Sequence, residues 1–109
     1  MDIRMTCRHC HLSDEIREYV ERKTERLEKR FERLHGAEMI LSVENGKTRA
    51  EMIVGLVRGQ KCVAEAVDDD MHAAIDAVVD KVERQVRKLK GRLAGHKGQA
   101  AEQGESGEE

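Results

Sequence analysis

The sequence predicts an α+β fold: a single β-α-β-β-β-α domain with a four-stranded sheet and two helices packed on one face. Three observations carry that expectation. Four short segments alternate apolar and polar residues. Two longer segments repeat apolar residues at helical spacing. Asn45-Gly46 and Gly59-Gln60 stand between the later alternating segments as turn signals.

Residues 2–7 alternate, with Ile3, Met5 and Cys7 on one side and Asp2, Arg4 and Thr6 on the other, as a half-buried strand requires. Ser13 is a good N-cap, and Asp14 and Glu15 after it suit the positive end of a helix dipole. Ile16, Val20, Leu27, Phe31 and Leu34 then follow helical spacing to about His35, where Gly36 reads as the stop. Met39, Leu41 and Val43 resume the alternation. Asn45-Gly46 predicts a tight hairpin into Thr48–Arg58, where Ala50, Met52, Val54 and Leu56 share a face. After Gly59-Gln60, Cys62, Ala64 and Ala66 continue as the last strand. Asp70 can cap a second long helix that buries Met71, Ile75, Val78, Val79, Val82, Val86, Leu89 and Leu93. A strand joined through a helix to the next implies a parallel crossover, and the hairpins add antiparallel neighbours. The first and fourth strands therefore fall at opposite edges. Beyond Leu93 periodicity ceases, so residues 1–95 are expected to fold and 96–109 to form a disordered acidic tail.

Length and charge narrow the function. A chain of 109 residues with 39% hydrophobic and 39% charged residues suits one small binding domain, not a large enzyme interior. The net charge of -2 hides an asymmetry. Residues 1–97 hold all 20 Lys and Arg with 18 of the 22 acids, and the last dozen residues hold the other four acids. Lys81 to Lys97 carries seven Lys or Arg against Glu83 alone, which fits a polyanionic partner. No apolar run is long enough for a membrane span, and the first residues lack a signal peptide's apolar core, so we expect a cytoplasmic protein with no membrane partner.

On a helical wheel the first helix carries an acidic stripe (Glu18, Glu21, Glu25, Glu28, Glu32) beside a basic one of Arg22, Arg26, Lys29 and Arg33, with Arg30 at its edge. The second has Asp76, Asp80 and Glu83 on one flank and Lys81, Arg84, Lys88 and Arg92 on the other. Pairs such as Glu18–Arg22, Glu25–Lys29, Asp80–Arg84 and Glu83–Arg87 stand at i,i+4, each contributing about 0.2–0.5 kcal/mol. In the first helix acids match bases, so an ordinary solvated face explains it equally well. In the second, Lys88, Lys90 and Arg92 exceed the acids near them and point to phosphates. The aromatics are Tyr19 and Phe31, both at or beside the core stripe, so base stacking is not expected. Lys and Arg contacts to phosphates and RNA shape remain.

Cys7-Arg8-His9-Cys10-His11 formally matches the c-type haem attachment pattern and offers zinc-ligand types, with Cys62 as the obvious further ligand. Haem attachment needs export, and Cys62 falls on the opposite edge of the sheet. Three cysteines are an odd number for a disulfide framework, and Cys7 and Cys62 read as small core residues. We therefore expect no metal, no cofactor and no disulfide framework. His35 and His72 are isolated, and no serine sits beside a base, so no enzyme activity and no small-molecule substrate are expected.

Asp70-Met71-His72-Ala73-Ala74-Ile75-Asp76, with Val82-Glu83-Arg84-Gln85-Val86 and a basic finish, resembles the second helix of the short ribosome hibernation-promoting factors. That family includes protein Y, the ribosome-associated inhibitor, and was formerly labelled sigma-54 modulation protein. Leu12-Ser13-x-x-Ile16-Arg17-x-Tyr19-Val20 and Lys23-x-x-x-Leu27-Glu28-Lys29 are similar to its first helix, and the likeness spans about residues 1–93. The resemblance implies a body like double-stranded-RNA-binding domains. It also implies binding to 16S rRNA in the decoding region of the 30S subunit and the 70S ribosome, over the A and P sites and the mRNA channel. Translation would stop by occlusion, leaving inactive ribosomes stored in stationary phase or under stress. The rRNA-binding positions it implies are Lys81, Arg84, Lys88, Lys90 and Arg92, supported by Arg22, Arg26 and Lys29, on a monomeric protein. His72 stands where the family usually has tyrosine, and Cys7 where glycine is common. The alternatives are a general structured-RNA-binding module and a small zinc-binding regulatory protein.

Overall fold

The computed structural model of the protein describes the backbone of residues 2–94 and the side chains of residues 2–89; the expected tail lies outside the described residues. The order is β1 (Asp2–Arg8), α1 (Asp14–Arg30), β2 (Leu34–Glu44), β3 (Lys47–Leu56), a 3₁₀ turn (Val57–Gly59), β4 (Lys61–Asp68) and α2 (Met71–Ala94). The strands lie in the sheet as β1-β2-β3-β4, with β1 parallel to β2 and the later pairs antiparallel.

Pairing register aligns the alternating residues into rows across the inner face. Cys7, Leu41, Ala50 and Ala66 form one row, and Met5, Met39, Met52 and Ala64 the next. Both helices cover these rows. Ile16, Val20 and Leu27 come from α1, and Ala74, Ile75, Val78, Val79, Val82 and Val86 from α2, all buried. Alanines at 50, 64 and 66 keep the sheet low where α2 crosses β3 and β4, so larger side chains there would lift the helix. Thr24 is buried within the α1 stripe although it is polar, because its hydroxyl donates to the Val20 carbonyl at 2.7 Å.

The helix caps form as expected. Ser13 Oγ accepts from the Ile16 N–H at 3.2 Å, and Asp70 Oδ2 from the Ala73 N–H at 3.2 Å. Asn45 (φ 53°) and Gly46 (φ 76°) turn β2 into β3, both in the left-handed region that such hairpins demand.

The end of α1 differs from the expectation. The helix stops at Arg30, Phe31 is extended (φ −129°, ψ 108°), and Leu34 to Ala37 belong to β2. An i,i+3 spacing of Phe31 and Leu34 suits a helix, but it equally suits two core residues on either side of a short turn. Gly36 is therefore no helix stop. It pairs with Asp2, and a Cβ there would stand 3.3 Å from the Asp2 carbonyl oxygen. The sheet register shifts between Leu34 and Gly36, which lets both Leu34 and Ala37 face the core.

The cysteines also differ. Cys62 is buried as expected, and burial pushes its thiol up to about 11. Cys7 is only half-buried and is joined to Cys10 by a disulfide across a Cα separation of 5.6 Å. Parity of the cysteine count said nothing of this pair, because its formation depends on a local reversal. His9 adopts φ 60° and folds Cys10 back over the end of β1.

Candidate nucleic-acid interface

Glu15 meets His72, Tyr19 meets Asp76, and Arg30 meets Glu83, so α1 and α2 run side by side in the same direction. The carboxyl end of α1 therefore lies beside Glu83, with α2 running on to Ala94, and the α1 dipole favours the cations Lys29 and Arg30 in its last turn. Between the helices runs a groove of about 590 Å³ lined by Lys23, Arg26, Lys29, Arg30, Arg84 and Arg87. Facing those six cations are three carboxylates, Asp76, Asp80 and Glu83.

Two of the carboxylates hold the helices in register. Asp76 accepts the Tyr19 hydroxyl at 2.6 Å and lies 3.0 Å from the Lys23 ammonium. Burial pushes the Asp76 carboxyl up, but Tyr19 and Lys23 outweigh it and leave the group below its ordinary value. The same hydrogen bond, helped by burial and the Asp76 charge, raises Tyr19. Glu83 joins Arg30 across the groove and Arg87 on its own helix at 2.7 Å. Arg26, Lys29 and Arg84 are exposed and make no ion pair among the described residues. Those three give the groove its excess positive charge.

The expected basic residues separate into several environments. Arg26, Lys29 and Arg84 come together in the groove. Arg22 instead lies 5.7 Å from the centre of the Tyr19 ring. Lys81 turns to the outer edge of β4 and donates to the Glu65 carbonyl at 2.9 Å. Beside it, Gln85 both accepts from the Val63 N–H (3.2 Å) and donates to the Val63 carbonyl (2.7 Å), so these two side chains cover β4's open edge. Lys88 is exposed and already engaged with a neighbour. Lys90 and Arg92 lie on α2, with side chains outside the described residues.

Sequence reasoning missed Lys23 and Arg87 as groove residues and left Arg30 at the margin. The acidic flank of α2 was the available signal, since it had to face something basic. Tyr19 is not free for stacking. Its ring meets His72 edge-on at 4.7 Å, and its hydroxyl is taken by Asp76. Phe31 is buried. Among the described residues no His, Cys, Asp and Glu side chains gather as a metal site, and no helix is long and apolar enough to cross a membrane.

The fold and groove define the class: a small α+β binding domain with a charged groove between parallel helices. The sequence profile described as sigma 54 modulation protein / S30EA ribosomal protein matches residues 3–94, and the chain belongs to that family. It is 38% identical over 90 residues to a ribosome hibernation promoting factor of Azotobacter vinelandii, covering 83% of each chain. It is 32% identical over 96 residues to the Escherichia coli (strain K12) protein of that name, covering 88% of this chain and all of that one. Among solved structures, a ribosomal subunit interface protein from Coxiella burnetii superposes with a TM-score of 0.78 at 28% identity, covering 84% of this chain and 99% of that one. The protein Y N-terminal domain of Thermus thermophilus gives 0.73 at 36%, covering 82% and 99%. The family is that of the ribosome hibernation factors, non-enzymatic binding proteins that associate with the ribosome inside the cell.

Proposed function

We propose that the protein binds the decoding region of the small ribosomal subunit, over the A and P sites and the mRNA channel, and stores ribosomes in an inactive state by occluding tRNA and mRNA. The observation that carries this reading is the groove between α1 and α2, where Arg26, Lys29 and Arg84 extend beyond the carboxylates that pair their neighbours. Cations so held match rRNA phosphates, and the engaged or buried aromatics favour recognition of shape over bases. The names of the relatives and of the Coxiella structure support a ribosomal partner.

In this reading the protein acts in the cytoplasm as a monomer, on the 30S subunit and the 70S ribosome through 16S rRNA, without cofactor or small-molecule substrate. Arg84, Arg26 and Lys29 make the central contacts, with Lys88, Lys90 and Arg92 extending them along α2. Arg22 and Lys81 contribute at the margins.

Co-sedimentation with 30S and 70S particles tests it, with free duplex RNA as competitor. Retention on ribosomes against excess duplex is expected. Equal competition would make the protein a general structured-RNA-binding module. Lys88→Glu with Arg92→Glu should weaken association while circular dichroism stays unchanged, and unaltered co-sedimentation would remove the C-terminal end of α2 from the interface.

A further inference from the structure

We propose that Cys7 and Cys10 form a reversible dithiol–disulfide site that exchanges with small thiols and disulfides and sets the slack of the loop between β1 and α1. The bond joins the last inward-facing position of β1 to a loop residue three positions before the cap Ser13. Both sulfurs belong to half-buried residues, whereas Arg8, His9 and His11 around them are exposed. A cation such as Arg8 within a Cys-x-x-Cys arrangement favours the thiolate that attacks disulfides. His9 provides the independent geometric observation. Its left-handed backbone at φ 60° makes the reversal that brings Cys10 to Cys7.

Reversibility follows from what surrounds the bond. Only Arg8 and His9 lie inside the closed loop, so the chain-entropy contribution that maintains a structural disulfide is near its minimum. The family is found inside the cell, where thiols are generally kept reduced. The reduced state is also accommodated, because the Leu41 carbonyl lies 3.8 Å from Cys10 Sγ and can accept from its thiol. Cys62 offers no competing partner. It is buried on β4, at the far edge of the sheet from β1, with its thiol pushed up to about 11.

In the oxidising direction the Cys10 thiolate attacks a small disulfide RSSR, forming a mixed disulfide and releasing one RSH after protonation. The Cys7 thiolate then attacks Cys10 Sγ, closing the protein bond and releasing the second RSH. Two electrons and two protons pass from the dithiol to RSSR. Excess RSH runs the sequence backward.

The full chain should be equilibrated with graded mixtures of reduced and oxidised glutathione, quenched by alkylation and analysed by mass spectrometry. Cys7 and Cys10 are expected to gain or lose label together and in graded proportion, with Cys62 labelled only after unfolding. A bond that persists in excess reduced glutathione, or never forms in excess oxidised glutathione, would overturn the proposal. In Cys7→Ser, with its fold verified by circular dichroism, Cys10 should stop at a mixed disulfide with glutathione. A Cys10 that stays unmodified there would remove it as the attacking thiol. Amide hydrogen exchange at residues 9–13 should be several-fold faster in the reduced protein, and equal rates in the two states would refute control of the loop.

Discussion

Replacing Arg26, Lys29 and Arg84 together by glutamine removes the three groove cations that have no ion pair among the described residues. All three are exposed, so each change should alter stability by no more than about 0.5 kcal/mol. Their effect belongs to binding. Each phosphate contact contributes roughly 0.7–0.9 to the slope of log affinity against log salt, so losing three should flatten it by about 2–2.7. Between 50 and 200 mM salt, the wild-type loss of affinity should then exceed the variant's by roughly 20- to 40-fold. Fluorescence anisotropy of labelled protein titrated with 30S subunits across that range reads the slope directly. Lys81→Gln is the internal control, because its ammonium is held at the Glu65 carbonyl on the β4 edge. It should flatten the slope by less than about 0.7, the value for one full contact. A triple variant that folds and keeps the wild-type slope would refute the groove as the phosphate site, and a Lys81 effect as large as the triple's would move the site to the outer edge.

The remaining predictions concern the frame that holds the groove. Tyr19→Phe removes the 2.6 Å hydrogen bond to Asp76, but that carboxylate is 47% exposed. Solvent screening therefore limits the loss to about 1 kcal/mol, a fall of roughly 4–8 °C in Tm by calorimetry, and a double-mutant cycle with Asp76→Asn should recover most of it as coupling. Because the Asp76 carboxyl is held below its ordinary 3.8, the unfolded chain takes up that proton first, and the contribution is lost as pH falls below that value through the folded one. Tyr19 is raised above its ordinary 10.0, so the unfolded chain loses that proton first and stability declines as pH rises past 10.0. Urea melts across pH should show both shoulders in the wild type, with the acid one reduced in Asp76→Asn and the alkaline one absent in Tyr19→Phe. Gln85→Ala exposes the Val63 N–H and carbonyl on the β4 edge; it should cost about 0.5–1.5 kcal/mol and increase light scattering on storage through edge pairing.

The sequence by itself determined the element types, the inner and outer face of each strand, and the family. Each depends on local periodicity or on short patterns of residues, such as Asn45-Gly46 at a turn and Ser13 and Asp70 at helix starts, which act over a few positions. It also identified the basic finish of α2. Tertiary structure decided which charged flanks meet. A helical wheel gives Asp76 and Glu83 a side but no partner, and only the parallel alignment of the helices sets them against Lys23 and Arg30. The same placement moved Lys81 to the sheet edge and brought Arg87 into the groove. Where α1 stops was likewise a matter of packing, since Phe31 and Leu34 satisfy helical spacing and still bury better across a turn. The Cys7–Cys10 bond depended on one left-handed residue, His9, whose conformation no count of cysteines reveals. Periodicity shows which side of an element is apolar, but the pairing of charges and sulfurs depends on distances that exist only once the elements have packed.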